Sequence, residues 1–322
     1  MPRVTFWRNK TVLVAGGAGF IGRHLVRAIL EAGSKVYVLD DFSTGQEGPL
    51  KTLDQTNLTV LTGDISQPTT LPQVDIIYNL ASPASPVHYQ SDPIRTWKTN
   101  ILGTLQLFDH AQACNATLVQ ASTSEVYGDP LSHPQKETDW GHVNPVGPRA
   151  CYDESKRAAE TLLMDAVRTL GADIRIARIF NTYGPGMTVS DGRAIPNFVA
   201  QAKSGKALTI HGDGTQTRSF CHVSDTIDGL LRLGEVAAAR GEIFNIGNPV
   251  ENTIFEIAQE IVTLFGDGND IVFEGRPIDD PQRRRPDIKK AESVLGWAPK
   301  VSLRAGLLSL LDLEEPVLRD IL

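Results

Sequence analysis

The first forty residues change from a strand pattern to a helix pattern and back. A short apolar run at 12–15 has the length of a buried strand, and three evenly spaced glycines follow it, Gly16, Gly19 and Gly22. The stretch 24–30 then carries apolar residues on one helical face, and a second apolar run spans 35–39. This order predicts a strand, a tight turn, a helix and a parallel second strand.

The same alternation continues through the first part of the chain. It predicts strands at 58–62, 74–80, 117–121 and 173–180, and helices at 94–113, 154–170 and 194–203. Strands that alternate with helices form a parallel sheet with helices on both faces. We therefore expect an α/β protein with a Rossmann-type, doubly wound parallel sheet.

After residue 185 the predicted elements are shorter and more mixed. They are strands at 208–211 and 242–246, and helices at 225–233, 254–265 and 302–313. We interpret them as a smaller α/β substrate lobe over the carboxyl edge of the sheet, where open α/β sheets bind ligands. The expected division is 1–185 for the Rossmann domain and 186–322 for the lobe. The boundary is soft, because strands of the two parts can interleave.

Composition and charge exclude several classes of partner. The chain has 322 residues and a formal charge of −7, which disfavours nucleic acid and anionic membrane surfaces. No apolar run approaches the roughly 20 residues of a membrane span, and no secretory signal is visible at the N-terminus. Three separated cysteines form neither a disulfide framework nor a metal motif. We expect a cytoplasmic protein without a metal site.

The glycine turn predicts a dinucleotide site. Backbone N–H groups and the helix dipole favour a pyrophosphate at such a turn. Asp40 ends the second strand, where a carboxylate accepts hydrogen bonds from an adenosine ribose and repels a 2′-phosphate. Asp41 adds to the repulsion, and we expect no basic partner nearby, so the prediction is NAD rather than NADP. The alternative is a glycine turn that only lets a helix pack on a strand.

Candidate chemistry begins where the strand at 117–121 ends, with hydroxyl side chains and Glu125. Tyr152 and Lys156 lie four residues apart and share a helix face. A tyrosine acting as a base near neutrality needs its pKa lowered by roughly 3 units, about 4 kcal/mol. A neighbouring ammonium and an oxidised nicotinamide can supply that. By spacing alone the pair could be incidental, but after a dinucleotide turn it favours catalysis.

Long motifs now carry a family resemblance. They are NLASPASP (79–86), TSEVYGDP (123–130), GHVNPVGPRACYDE (141–154), RIFNTYGP (178–185), GTQTRSF (214–220) and DDPQRRRPD (279–287). With the glycine turn and the Tyr152/Lys156 pair, they resemble the extended short-chain dehydrogenase/reductases over nearly the whole chain. Within that superfamily the chain is similar to the UDP-glucuronate decarboxylase (UDP-xylose synthase) family. One departure is Ser155, where the family usually has glycine.

The resemblance implies roles for five catalytic residues. Tyr152 would be the base at the sugar C4 hydroxyl, and Lys156 would lower its pKa and bind the nicotinamide ribose. Thr123 would hydrogen-bond the C4 oxygen, and Glu125 would position a proton or water near C5. Arg284 would sit by the substrate carboxylate. The implied reaction is NAD-dependent decarboxylation of UDP-glucuronate to UDP-xylose.

The resemblance also implies binding residues and an assembly. The expected substrate contacts are Lys98, Asn181 (at the diphosphate), Arg193, Arg218 and Arg284. The expected cofactor contacts are Gly16, Gly19, Phe20, Ile21, Gly22, Asp40, Asp41, Phe42, Thr44, Gly45, Asp64, Ile65, Leu80, Ala81, Ser82, Thr99, Tyr152, Lys156 and Thr182. Family members suggest a homodimer through the helices at 94–113 and 154–170.

Three alternatives stay open at this point. Sugar-nucleotide 4,6-dehydratases carry an aspartate at the position of Ser124, and serine cannot protonate a leaving hydroxyl near neutral pH. UDP-glucose 4-epimerases usually lack a carboxylate at the position of Glu125 and the arginine run at 283–285. That run could be only a solvated loop, although its flanking residues favour a site. A non-catalytic NAD-binding protein is the third alternative, which the presence of Tyr152 and Lys156 disfavours.

Overall fold

A seven-stranded parallel sheet forms the centre of the molecule. The computed structural model describes residues 2–188, 192–265, 268–275 and 283–310. The strand order is β11-β6-β5-β4-β1-β2-β3. These strands are β1 (Thr11–Ala15), β2 (Lys35–Asp40), β3 (Leu58–Thr62), β4 (Ile76–Asn79), β5 (Thr117–Thr123), β6 (Ile174–Ile179) and β11 (Glu242–Ile246). The predicted doubly wound α/β fold is confirmed.

Both faces of the sheet are covered by helices. On one face α2 (Phe20–Glu31) and α9 (Val223–Glu235) bury apolar side chains such as Leu25 and Leu230. On the other face α6 (Thr104–Cys114) and α7 (Ala150–Leu170) bury Phe108 and Leu163 among others. The direction of the strand order reverses between β1 and β4. A crevice opens at such a reversal, at the carboxyl ends of the strands.

The helix predicted at 94–113 is divided into three segments. It runs as α5 (Pro93–Lys98), a π-helical turn (Thr99–Gly103) and α6. Single π turns inside helices often mark functional positions. Further helices of the described residues are α1 (Pro2–Trp7), α3 (Glu47–Lys51), α4 (Pro86–Ser91), α8 (Ala194–Lys203), α10 (Ile254–Phe265) and α11 (Leu303–Leu308), with 3₁₀ turns at Ser124–Tyr127 and Ala237–Ala239 and a second π turn at Ala291–Leu295.

A second apolar core lies under the smaller lobe. It joins α8, α10 and the strand β8 (Leu208–His211) through residues such as Phe198, Ile257 and Ile210. The short strands of the described chain outside the large sheet are β7 (Thr182–Tyr183), β9 (Thr217–Ser219), β10 (Cys221–His222), β12 (Glu251–Thr253), β13 (Ile271–Glu274) and β14 (Arg283–Arg284).

One strand expected in the smaller lobe lies elsewhere. Residues 242–246 form β11, which pairs in parallel with β6 at the edge of the large sheet. Its apolar side chains, with those of α9, extend the core of the large sheet. The chain therefore returns to the Rossmann layer after its first passage through the lobe. The last predicted helix, 302–313, is seen as α11, and its positions 311–313 lie outside the described residues.

In the described part of the chain, none of the helices has both the length and the apolar character needed to cross a bilayer.

Candidate active site

The glycine turn closes tightly against the next strand. Gly16 has a positive φ of 77°, and a Cβ there would lie 2.6 Å from the backbone N of Ala81. A Cβ on Gly22 would lie 2.1 Å from the Gly16 carbonyl oxygen. Only glycine fits at these two positions, which lets α2 begin at Phe20 directly beside the ends of β1 and β4. The turn and the start of α2 line a cleft of about 750 Å³.

Asp40 lies at the end of β2 beside this turn. Its two carboxylate oxygens accept hydrogen bonds from the backbone N–H groups of Ala18 (2.9 Å) and Phe42 (2.9 Å). Burial raises the pKa of Asp40, against the opposing effect of these two bonds. The carboxylate is thus held by the backbone at the adenosine end of the crevice, as an NAD-type site requires.

The expectation that no basic group lies near this corner was wrong. The Arg95 guanidinium on α5 donates to the Asp41 carboxylate, with 2.6 Å between Nη2 and Oδ2. Arg95, Asp40 and Asp41 line the same small recess. The sequence distance of 54 residues hid this pair. Asp41 opposes the Arg95 charge, whereas the Asp40 carboxylate is held by backbone N–H groups.

The other expected cofactor residues lie around the cleft and the small recess beside it. Asp64 accepts from the Ser66 backbone N–H (2.8 Å), so it is also a turn residue. Phe42 holds a positive φ of 57°, and a Cβ on Gly45 would meet Ala18 at 2.8 Å, so both shape the loop after β2. Of the expected cofactor residues, those that line the cleft or the recess are Gly16, Gly19, Phe20, Ile21, Gly22, Asp40, Asp41, Thr44, Asp64, Ile65, Leu80, Ala81, Ser82, Thr99, Tyr152, Lys156 and Thr182.

Tyr152 and Thr123 meet inside the cleft. Tyr152 is buried on α7 and hydrogen-bonds with Thr123 at the end of β5. The ring of Tyr89 on α4 stacks on the Tyr152 ring, with centroids 5.0 Å apart and 9° between the planes. Burial raises the pKa of Tyr152 to about 12, while the Thr123 hydrogen bond lowers it. The stack and the hydrogen bond fix the phenol at the place predicted for a base.

Lys156 lies beside Tyr152, as the spacing predicted, and its hydrogen bond is to the backbone of β5. Its Nζ donates to the Ala121 carbonyl (3.0 Å) and lies 5.8 Å from the centre of the Tyr152 ring. Burial lowers the pKa of Lys156 to about 8, against a smaller opposing effect of Glu160. In the protein alone the pKa of Tyr152 is therefore raised, and the positive nicotinamide of an oxidised cofactor, when bound, would supply stabilisation that a phenolate needs.

Glu125 and Arg284 form a fork-to-fork ion pair. Arg284 Nη1 and Nη2 donate to Oε1 and Oε2 of Glu125, both at 2.7 Å. Arg149 Nη2 adds a third contact to Oε2 at 2.8 Å. Burial raises the pKa of Glu125, but the charges of Arg284 and Arg149 outweigh it and hold the pKa at about 2. Glu125 is ionised at neutral pH, which restricts its expected role to orienting water or charge rather than storing a proton.

Asp153 extends this charged cluster. Its Oδ2 lies 4.0 Å from Arg149 Nε, and its Oδ1 is buried without a hydrogen-bond partner among the residues that the structure describes. Burial and the neighbouring Glu125 charge raise the pKa of Asp153 to about 7. At neutral pH two guanidiniums therefore face one full and one partial carboxylate charge.

Arg284 is distinct from its two neighbours. It is 6% exposed and pairs along β14 with Arg218 of β9, whereas Arg283 faces solvent. This placement contradicts the solvated-loop alternative for Arg284. Residues 279–282 of the same motif lie outside the described residues.

Four of the five expected substrate residues, Arg284 among them, line the cleft and one does not. Asn181, Arg193 and Arg218 are lining residues, and Arg218 is buried. The prediction that Lys98 contacts the substrate was wrong, because Lys98 is exposed on α5 and lines neither the cleft nor the recess. Thr96 of α5 and Thr99 of the following π turn are buried, whereas Lys98 between them is exposed.

Ser155 fits its position without disturbing the Tyr152/Lys156 spacing. Its hydroxyl is fully buried, donates to the Cys151 carbonyl (2.5 Å) and accepts from Asn100 Nδ2 (2.8 Å). Asn100 belongs to the π turn between α5 and α6. The serine therefore joins α7 to that turn.

Two functional residues were missed in the sequence. Arg149 stands three residues before Tyr152, and helical spacing from the tyrosine would have been the signal for it. Tyr89 carries no comparable signal, because 63 positions separate it from Tyr152 and only the fold brings the two rings together.

Comparison with known proteins agrees with this geometry. The model of the NAD dependent epimerase/dehydratase family matches residues 12–247, and the chain belongs to that family. The dinucleotide site is therefore an NAD site, as the glycine turn and Asp40 predicted.

More specific similarity is found among curated relatives. UDP-glucuronic acid decarboxylase 5 of Arabidopsis thaliana is 50% identical over 93% of this chain and 87% of its own length. UDP-glucuronic acid decarboxylase 2 of the same plant is 51% identical over 92% of this chain, which spans 66% of that relative. These relatives confirm the family resemblance drawn from the motifs.

A solved structure with a bound sugar nucleotide is also similar. UDP-glucuronic acid 4-epimerase from Bacillus cereus, in complex with UDP-glucuronic acid and NAD, superposes with a TM-score of 0.85. It is 29% identical and covers 94% of this chain and 98% of its own.

Proposed function

We propose that this protein converts UDP-glucuronate to UDP-xylose and CO₂. The observation that carries the proposal is the buried Glu125–Arg284 pair in the same cleft as Tyr152 and Thr123. Tyr152 and Thr123 serve an alcohol oxidation, and Arg284 offers a guanidinium to a carboxylate. Relatives named as UDP-glucuronic acid decarboxylases support the same substrate.

Oxidation at C4 begins the reaction. Tyr152 takes the proton of the C4 hydroxyl while Thr123 hydrogen-bonds the C4 oxygen. Bound NAD would supply the hydride acceptor for C4 oxidation and the hydride donor for the later reduction. Because the pKa of Tyr152 is about 12 in the protein alone, proton removal depends on positive charge brought into the cleft. Lys156, held against the Ala121 carbonyl, is placed to bind the nicotinamide ribose.

Loss of CO₂ follows from the C4 ketone. The ketone makes the C6 carboxylate part of a β-keto acid, whose C5–C6 bond breaks with its electron pair passing into an enolate. Arg284 lies where it can orient the carboxylate before this step. A proton from water at C5, return of the hydride to C4 and return of the Tyr152 proton to the C4 oxygen then give the xylose product. Glu125 holds Arg284 in place and, being ionised, accepts hydrogen bonds rather than donating a proton.

A product assay tests the proposal and separates it from the alternatives. The protein is incubated with UDP-glucuronate, UDP-glucose and dTDP-glucose, and the products are identified by mass spectrometry. We expect CO₂ and UDP-xylose from UDP-glucuronate. A C4 epimer of UDP-glucuronate without CO₂ would instead assign the activity named for the Bacillus cereus structure. A 4-keto-6-deoxy product from dTDP-glucose would assign a dehydratase, against which Ser124 argues.

We further propose a homodimer through the helices α5–α6 and α7. Large apolar side chains on α5 and α6 are partly exposed, among them Ile94, Trp97 and Leu105. Sedimentation velocity of the wild type and of Trp97→Glu tests this, with a dimer and a monomer as the expected results. Leu131→Glu, at an exposed apolar position outside these helices, is the matched control and should stay dimeric. A monomeric wild type would contradict the proposal.

A cytoplasmic location is also proposed. The three cysteines are all unpaired, which is typical of proteins in reducing compartments. Cell fractionation with antibody detection tests it, and recovery in an oxidising compartment would contradict it.

A further inference from the structure

A buried glutamine adjoins the strand that carries Arg284. Gln135 is fully buried in the segment after the Ser124–Tyr127 turn. Its backbone N–H donates to the Arg285 carbonyl (2.8 Å), and its side-chain Oε1 accepts from the Arg285 N–H (2.7 Å). Its carbonyl accepts from the Asp287 N–H (2.7 Å). Gln135 therefore holds the chain on both sides of Pro286.

The strand β14 depends on this support. It has two residues, Arg283 and Arg284, and pairs with β9 on one side. Pro286 has no N–H to donate, so a continuous ladder cannot form beyond Arg285. The Gln135 side chain accepts a hydrogen bond from the backbone N–H of Arg285, the residue that follows Arg284. The direction in which Arg284 leaves the backbone is thus fixed by Gln135 as well as by β9.

A second buried amide side chain, Asn245, connects Gln135 to the turn that carries Glu125. Asn245 on β11 donates from Nδ2 to the carbonyls of Gln135 and Asp287, both at 3.0 Å. Its Oδ1 accepts from the Tyr127 hydroxyl (2.7 Å), and Tyr127 belongs to the same 3₁₀ turn as Glu125. The turn of Glu125 and the strand of Arg284 are therefore attached to one point at the edge of the large sheet.

We propose that Gln135 is a positioning residue for the decarboxylation step, and that Asn245 supports it. Gln135 acts through Arg284 and does not touch the substrate. Tyr152, Thr123 and Lys156 are placed by α7 and β5 instead. Loss of Gln135 should therefore impair CO₂ release much more than C4 oxidation. This inference rests on the proposed function.

The test compares two steps in one reaction. Gln135→Met keeps the size of the side chain and removes the acceptor for the Arg285 N–H. Formation of bound NADH reports C4 oxidation, and released CO₂ reports decarboxylation. We expect CO₂ release to fall about 10²-fold, as for other small displacements of a catalytic group, with NADH formation close to wild type. The KM for UDP-glucuronate should change much less than kcat.

Two further variants separate positioning from general destabilisation. Gln120→Met is the matched control, because Gln120 is also buried and hydrogen-bonded in the sheet, to Asn79 and to the Ala121 carbonyl. It should lower the melting temperature without changing the ratio of CO₂ to NADH. Asn245→Ala should shift that ratio in the same direction as Gln135→Met, and it carries the test if Gln135→Met does not fold.

Four outcomes overturn the inference. Equal losses of NADH formation and CO₂ release in Gln135→Met would make the residue merely structural. The same shift in Gln120→Met would show that any loss of a buried amide has this effect. If the wild type released no CO₂, the proposed function and this inference would both be wrong. If the wild type released CO₂ and Gln135→Met and Asn245→Ala did the same, only the inference would fail.

Discussion

Replacement of Arg284 by alanine removes the main partner of a buried carboxylate. The variant loses two charge-assisted hydrogen bonds of 2.7 Å to Glu125. Arg149 remains on Oε2 at 2.8 Å, so the carboxylate keeps one cation. Arg283→Ala is the matched control, because Arg283 is the neighbouring residue of the same strand and faces solvent.

The size of the effect on stability follows from burial. Removing one partner of a buried ion pair typically costs 3–5 kcal/mol, because the other charge is left without compensation. Because the Arg149 contact remains, we expect Arg284→Ala to lower the free energy of unfolding by about 3 kcal/mol, at the lower end of this range. The pKa of Glu125 should rise in the variant, since Arg284 contributes the strongest of the attractions that lower it. An exposed arginine such as Arg283 should cost less than about 0.5 kcal/mol.

The effect on the reaction should be larger than the effect on folding. Loss of the correct position of a reacting group typically lowers the rate by about 10²-fold. We expect CO₂ release from Arg284→Ala to fall by that factor, with a 4-keto species or bound NADH accumulating and NAD affinity unchanged. Arg283→Ala and Arg285→Ala should be less sensitive. Urea unfolding, CO₂ release and NADH absorbance are measured on all three variants.

A normal rate of CO₂ release in Arg284→Ala would refute the reasoning. If a neighbouring variant lost CO₂ release while Arg284→Ala kept it, the assignment within the arginine run would be wrong. If all three were normal, the run would have no part in the chemistry.

Three further outcomes are expected. Tyr152→Phe should lower C4 oxidation by about 10² to 10⁴-fold with NAD binding intact, and near-normal turnover would place the base elsewhere. By calorimetry the wild type should bind NAD much more tightly than NADP. Asp41→Ala should reduce this difference in affinity, because Arg95 loses its carboxylate partner and can pair with a 2′-phosphate. The double variant Asp41→Ala/Arg95→Ala should restore the wild-type difference in affinity. Because the pKa of Glu125 is about 2 in the folded protein and about 4.3 unfolded, its stabilisation is complete above pH 4.3 and is lost as the pH falls towards 2. Urea unfolding should therefore show the wild type losing up to about 3 kcal/mol relative to Glu125→Gln over that window, and a constant difference would contradict the pKa.

Local patterns were enough to predict most of the large sheet. The strands 58–62 and 242–246 have the predicted bounds, because their apolar runs end at polar or turn residues. The sheet position of 242–246 could not be predicted, since pairing with β6 depends on a partner 67 positions away in the register. Strands of two residues, such as β14, have no period that a sequence pattern can show.

Part of the candidate active site could likewise be predicted from local patterns, and part could not. Tyr152 and Lys156 were predicted from helical spacing, and Asp40 from its place at a strand end. The ion pair of Glu125 with Arg284 joins positions 159 residues apart, so only the motif resemblance indicated both residues. The direction of the Lys156 side chain was not predictable, because its hydrogen bond to the Ala121 carbonyl depends on how α7 packs on β5.

The ion pair also bears on why, in the proposed reaction, the carboxylate would be lost rather than retained. Both terminal nitrogens of Arg284 already donate to Glu125, so the guanidinium has fewer donors left for a substrate carboxylate. Glu125 also cancels one of the two arginine charges that face it. In the proposed reaction a substrate carboxylate would therefore be oriented but only weakly neutralised, and it would keep the high energy from which CO₂ can leave. The negative charge that moves to the C4 oxygen meets the hydroxyls of Thr123 and Tyr152. An enzyme gains rate only from interactions that strengthen between ground state and transition state, and this distribution of charge has that property.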